Sequence, residues 1–143
     1  MVHALREAHR VLKPNGILID LRPGLVHRRV GIERAGRFRQ LGRMYESLDD
    51  DRAANRSVAS VLRAGLFRAE WHTRFDCRRV MDSLSDFRTF VDEFLVVGTE
   101  LPRHDRLIQR VQRALETTES TNRIVVRGPL MMNVLRKRDV AGA

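Results

Sequence analysis

Between Phe67 and Arg78 the chain alternates without a fault. Phe67, Ala69, Trp71, Thr73, Phe75 and Cys77 fall on one side, and Arg68, Glu70, His72, Arg74, Asp76 and Arg78 on the other. A period of two belongs to a strand whose successive side chains point to opposite faces. Apolar on one face and polar on the other, it predicts a long, half-buried, antiparallel strand. No strand of that length stands alone, so the rest of the chain has to supply a sheet and a core.

The flanking segments supply both. Residues 2–12 predict a helix with Ala4, Leu5, Ala8, Val11 and Leu12 on one face. Lys13-Pro14-Asn15-Gly16 ends it, because proline cannot continue a helix and the last two residues accept a left-handed turn. Ile17-Leu18-Ile19-Asp20-Leu21 follows, apolar on both faces, as a parallel strand buried between helices would be. Residues 25–33 and 37–42 predict a hairpin turning at Ala35-Gly36.

Ser47-Leu48-Asp49-Asp50 predicts a capped helix running to about Ala64, with Ala54, Val58, Val61 and Leu62 inward and Gly65 closing it. Ser83-Leu84-Ser85-Asp86 caps another, carrying Phe87, Phe90, Val91, Phe94 and Leu95 up to Gly98. A further helix starts near Pro102 with Leu107, Ile108, Val111 and Leu115. After a polar loop over 117–122, Ile124 to Leu135 reads as the last strand, and Gly128-Pro129 marks a bulge or an unpaired edge in it. A frayed tail over 137–143 follows.

The stretch from Ala4 to Asp20, centred on Arg10-Val11-Leu12-Lys13-Pro14-Asn15-Gly16, resembles a signature of the class I S-adenosylmethionine-dependent methyltransferases of the type 11 kind. In that family a helix ending R-V-L-K-P-G-G leads into the fifth strand of a seven-stranded sheet. Asn15 stands where the family has its first glycine, and asparagine also tolerates a left-handed backbone. The later order is similar too: an insertion, a long sixth strand at 67–78 and a closing antiparallel strand at 123–136. The resemblance implies the C-terminal half of a Rossmann-like α/β sheet, a single domain over 1–143 with a hairpin insertion and a final antiparallel strand pair. It implies a small-molecule methyl acceptor.

In the family, a glycine-rich turn and an acidic strand end in the first half of the fold hold S-adenosylmethionine. The nine glycines here never form G-x-G-x-G. The expectation is therefore a methyltransferase-like chain that does not bind the cofactor by itself, with a truncated start at Met1 as one explanation. On the substrate side, Asp20 is the candidate base or hydrogen-bond acceptor. Arg22, His27 and Arg28 are the candidate substrate-binding residues. For Asp20, His27 and Arg28 the competing expectation is a solvated residue, and His72 is expected on the surface. His9 and His104 are expected on helix faces without metal-ligand spacing, and Cys77 in the core.

Composition bounds the alternatives. The chain has 143 residues and a net charge of +9, almost all of it arginine, with Lys13 and Lys137 the only lysines. The charge is spread along the sequence, which favours basic drift over a nucleic-acid footprint; a basic nucleic-acid binder stays as the second alternative. No apolar run reaches membrane-spanning length and no signal core opens the chain, so a cytoplasmic location is expected. Lastly, the 17–21 strand wants neighbours on both edges. Left bare, one edge is a template for self-association or for a partner, and a non-catalytic binding or dimerisation module is the first alternative.

Overall fold

A computed structural model describes residues 1–93, 104–116 and 122–138. Phe94, Leu95, Gly98, Pro102 and most of the 117–122 loop and of the tail lie outside these. The fold is α/β, with a five-stranded antiparallel open sheet and, among the described residues, four helices. In chain order these are α1 (Val2–Val11), β1 (Ile17–Pro23), β2 (Arg28–Arg34), β3 (Arg37–Met44), α2 (Asp49–Arg63), β4 (Phe67–Met81), α3 (Leu84–Glu93), α4 (Asp105–Glu116) and β5 (Arg123–Lys137). The strands run in the order β1-β5-β2-β3, with β4 also paired to β5. No described helix is long and apolar enough to cross a membrane.

The chain divides into two compact units, each with its own core. The first comprises residues 1–25, 48–75 and 130–143. Here β5 pairs antiparallel with β1, from Ile17 opposite Arg136 to Pro23 opposite Leu130. It also pairs with β4, and the Arg138 N–H donates to the Leu66 carbonyl at 2.9 Å. β5 therefore lies between β1 and β4. Leu18 and Leu135, directly opposite each other, meet Leu5 of α1, Val58 and Val61 of α2, and Phe67 in one apolar cluster.

Local chemistry explains how the chain enters and leaves these elements. α1 ends with Leu12 extended, and Asn15 takes the left-handed conformation at φ +59°, the role glycine has in the resembling motif. Gly65, at φ +70°, closes α2, with the Gly65 and Leu66 N–H groups reaching back to the carbonyls of Leu62 and Val61. α2 starts one residue later than its expected Ser47 cap. Leu48 holds the cap position without a side-chain hydrogen bond, and the first turn instead carries Asp49, Asp50 and Asp51, favourable to the helix dipole.

Two expectations about burial fail in this unit. β1 is not covered on both faces, nor is its observed partner parallel. Ile17, Ile19 and Leu21 are 47%, 61% and 54% exposed, while the alternate Leu18 packs against the helices. β4 is a strand as its alternation predicts, but it is not half-buried: Trp71 and Phe75 are exposed, and only Phe67 and Met81, at its two ends, are buried. Alternation reports the chemistry of a face, not whether anything covers it.

The second unit comprises residues 26–47 and 76–129. β2 and β3 form the expected hairpin. They turn on Ala35 and Gly36, at φ +47° and +74°, and two consecutive positive φ values match the right-handed twist of the strands. β2 pairs antiparallel with β5 from Arg29 opposite Arg127 to Glu33 opposite Arg123. Val30, Ile32, Met44, Phe87, Phe90, Val91, Leu107, Val111, Ile124 and Val126 build its core. The Ser83 cap forms as expected, its Oγ accepting the Asp86 N–H at 3.0 Å. Cys77 lies in this unit and is exposed, not in the core.

Gly128-Pro129 does not end β5, which runs on to Lys137. The pair lies where the pairing changes, since β2 stops at Arg127 and β1 begins at Leu130. Pro129, which has no N–H, falls in the gap between the β2 and β1 ladders.

In the first unit a two-armed ion pair ties β4 to β5. Arg136 gives Nε and Nη2 to the two oxygens of Glu70, at 2.5 and 2.9 Å, and its Nη1 to the Asn15 carbonyl at 2.7 Å. Hydrogen bonds from Arg136, then from Arg68, hold the Glu70 carboxyl below the usual carboxylate range. A lowered carboxyl stabilises the fold near neutral pH, and that contribution disappears as pH falls through the folded-state value. Glu70→Gln is therefore expected to be less stable than the parent at pH 7, by a margin that is smaller at about pH 4. Urea unfolding at the two pH values checks this.

Candidate functional site

The C-terminal half of β1 carries a connected polar network that includes two of the sequence-chosen candidates. Asp20 and Asn133 are opposite residues of β1 and β5, so their side chains share a face. Asn133 Nδ2 donates to Asp20 Oδ2 at 2.7 Å. The Arg22 Nε lies 3.0 Å from the same oxygen, and both side chains of this ion pair are about nine-tenths buried. On the other side, His72 of β4 places Nδ1 2.8 Å from Asn133 Oδ1.

These contacts fix the chemistry of the exposed end. With its amide nitrogen turned to Asp20, Asn133 offers only an acceptor, Oδ1, to the histidine. His72 Nδ1 therefore carries the proton, and Nε2 keeps its lone pair. The result is a chain from a buried carboxylate through an amide to an imidazole that presents a base or hydrogen-bond acceptor.

The buried end is incomplete. Arg22 Nε, though close to Asp20, forms no aligned hydrogen bond, and Nη1 has no partner. Buried guanidinium groups are normally fully bonded, so these two donors are open to an acceptor.

Of the candidates, Asp20 and Arg22 are thus together in the first unit. Asp20 is not a solvated strand-end carboxylate, because its side chain is about 10% exposed. His27 and Arg28 lie in the second unit, at the start of the hairpin. Neither is simply solvated: Arg28 pairs with Glu46, and the His27 ring lies 4.9 Å from that of Tyr45, its Nδ1 buried without a partner.

Two further histidines, His9 and His104, find partners. His9 faces Arg138, with Nε2 3.1 Å from the carbonyl, and its ring meets Phe67 edge-on at 5.3 Å. His104 is not on a helix face. It is 5% exposed just before α4, its Nε2 accepting the Tyr45 N–H at 3.1 Å. Among the described residues no group of three or more His, Cys, Asp or Glu could hold a metal ion.

Sequence reasoning missed Asn133; it placed His72 on the surface, where it is exposed, but not its bond to Asn133. One signal was present: Asn133 is the single polar residue in Leu130-Met131-Met132-Asn133-Val134-Leu135. A polar group at the centre of an apolar strand segment needs a partner.

No family model matches this sequence, and no curated protein or solved structure matches it either.

The network makes a spectroscopic prediction. In ¹⁵N NMR of the imidazoles, the neutral His72 ring is expected to show a protonated Nδ1 and an unprotonated Nε2, the minority tautomer of free histidine. Asn133→Leu, which keeps the volume and removes both bonds, is expected to return His72 to the common Nε2–H form. A parent protein already in that form would contradict the arrangement.

Proposed function

We propose that this chain is the acceptor-side module of a class I S-adenosylmethionine-dependent methyltransferase-like protein acting on a small molecule, its cofactor held by polypeptide other than these 143 residues. The observation that carries the reading is the position of β5. It lies antiparallel between β1 and β4, and β1 is the strand that Arg10-Val11-Leu12-Lys13-Pro14-Asn15-Gly16 introduces. A late strand inserted antiparallel beside the fifth strand is the C-terminal order of the family that motif resembles. β1 is also the end strand of the sheet that the described residues form, so among them its second edge has no strand partner where such a sheet would continue.

The residues present do not fit the cofactor. Asp20 Oδ2 is occupied by Asn133 and Arg22, which leaves it poorly placed to hold a ribose diol, and no glycine-rich turn lets backbone approach a ligand. What the module offers is the Asp20–Asn133–His72 chain, which can accept a hydrogen bond or a proton from an acceptor at Nε2, and the open Arg22 donors.

A second reading, a non-catalytic binding or dimerisation module, is favoured by a different observation. Ile17, Ile19 and Leu21 leave an apolar row along β1, and Trp71 and Phe75 are exposed in the same unit. A second copy pairing its own β1 across the free edge would join two such rows.

Calorimetry and light scattering separate the readings. The methyltransferase reading expects no heat from S-adenosylmethionine with the chain alone, and saturable binding once a cofactor-binding α/β partner is co-purified with it. Stable homodimers that never take up such a partner would overturn it in favour of the second. Saturable cofactor binding by the chain alone would contradict the division of labour proposed.

A further inference from the structure

The second unit has a surface that neither reading uses. We propose that the tip of the β2–β3 hairpin binds a small phosphate ester bearing a free hydroxyl, a sugar phosphate or nucleotide, through Arg34, Arg37 and Arg39.

The first reason is the register. Arg34 stands directly opposite Arg37, and Arg39 opposite Ile32, so three guanidinium groups and one apolar side chain share a face. Like charges directly opposite each other destabilise a strand pair. The turn between them adds strain, because Ala35 holds a left-handed φ of +47° that a residue with a Cβ adopts at a cost of about 1–2 kcal/mol. The tip is thus built against its own stability twice, as ligand-holding segments often are.

The second reason is the absence of counter-charge. Some arginines of the unit meet carboxylates: Arg28 meets Glu46, Arg29 meets Asp76, and Arg78 and Arg127 share Glu33. Arg34, Arg37 and Arg39 have no ion pair among the described residues. Together with Ile32 and Asn122 they line a groove of about 340 Å³, with no carboxylate among its described lining residues.

The third reason is Asn122, which makes the groove selective. Its Nδ2 donates to the Ala114 carbonyl at 3.3 Å, and its Oδ1 is buried without a partner. That oxygen can only accept, so it repels a bare anion and suits a hydroxyl. Arginines for the phosphate and Asn122 Oδ1 for a hydroxyl define the ligand class. Arginine's fork is the side chain best matched to phosphate oxygens.

The test is calorimetry at low salt on the full chain, with ribose 5-phosphate, inorganic phosphate, ribose and a short single-stranded oligonucleotide as probes. Ribose 5-phosphate is expected to bind saturably at one site, tighter than inorganic phosphate, with ribose silent. Arg34→Gln and Arg37→Gln are each expected to weaken it by about tenfold. Each is also expected to leave the thermal midpoint unchanged or raised, because repulsion is relieved; a lowered midpoint would make these arginines structural and overturn the proposal. No saturable binding of either phosphate would overturn it. So would tight, steeply salt-dependent oligonucleotide binding with no response to ribose 5-phosphate, which would make the tip a nucleic-acid surface.

Discussion

Pairing along β5 is the interaction on which both units depend. The strand spans Arg123–Lys137, about 50 Å when extended. It takes β2 over its first part, β1 over its last and β4 as a further neighbour. Ile124 and Val126 enter one core and Leu135 the other. Removing β5 would leave β1 without its strand partner and the hairpin without its link to the sheet. The Gly128-Pro129 step lies where the strand passes from the β2 ladder to the β1 ladder.

The same pairing creates the polar network. Asp20 and Asn133 are far apart in sequence and directly opposite in the sheet, and His72 reaches the same asparagine from β4. A carboxylate, an amide and an imidazole in series set the histidine's tautomer through geometry alone. The methyltransferase-like reading draws on this site and on the strand order around it. The hairpin arginines belong to another chemistry, in which uncompensated charge marks a place for an anion.

Much of the fold was legible locally. The Ala4–Gly16 pattern gave α1 and its left-handed exit at Asn15, the hairpin turn fell at Ala35-Gly36, and Ser83 capped α3. What failed were the inferences about which strand faces are covered and which polar groups meet. Trp71, Phe75 and Cys77 carry core-like chemistry yet are exposed, and β1 looks two-sided yet is covered on one side. Asp20 and Arg22 were visible as strand-end polar groups, but their pairing with each other and with Asn133 was not. Contacts across more than a hundred residues leave no local period to read.

The account stands on β5 being an interior strand and β1 a terminal one. Amide hydrogen exchange resolved by residue tests this directly. In an interior strand successive N–H groups bond to opposite neighbours, so every amide from Met131 to Leu135 is expected to exchange slowly. In β1 protection is expected to alternate from Ile17 to Leu21, since every second amide faces the free edge. Alternating protection in β5, with uniform protection in β1, would contradict the strand order on which the account rests.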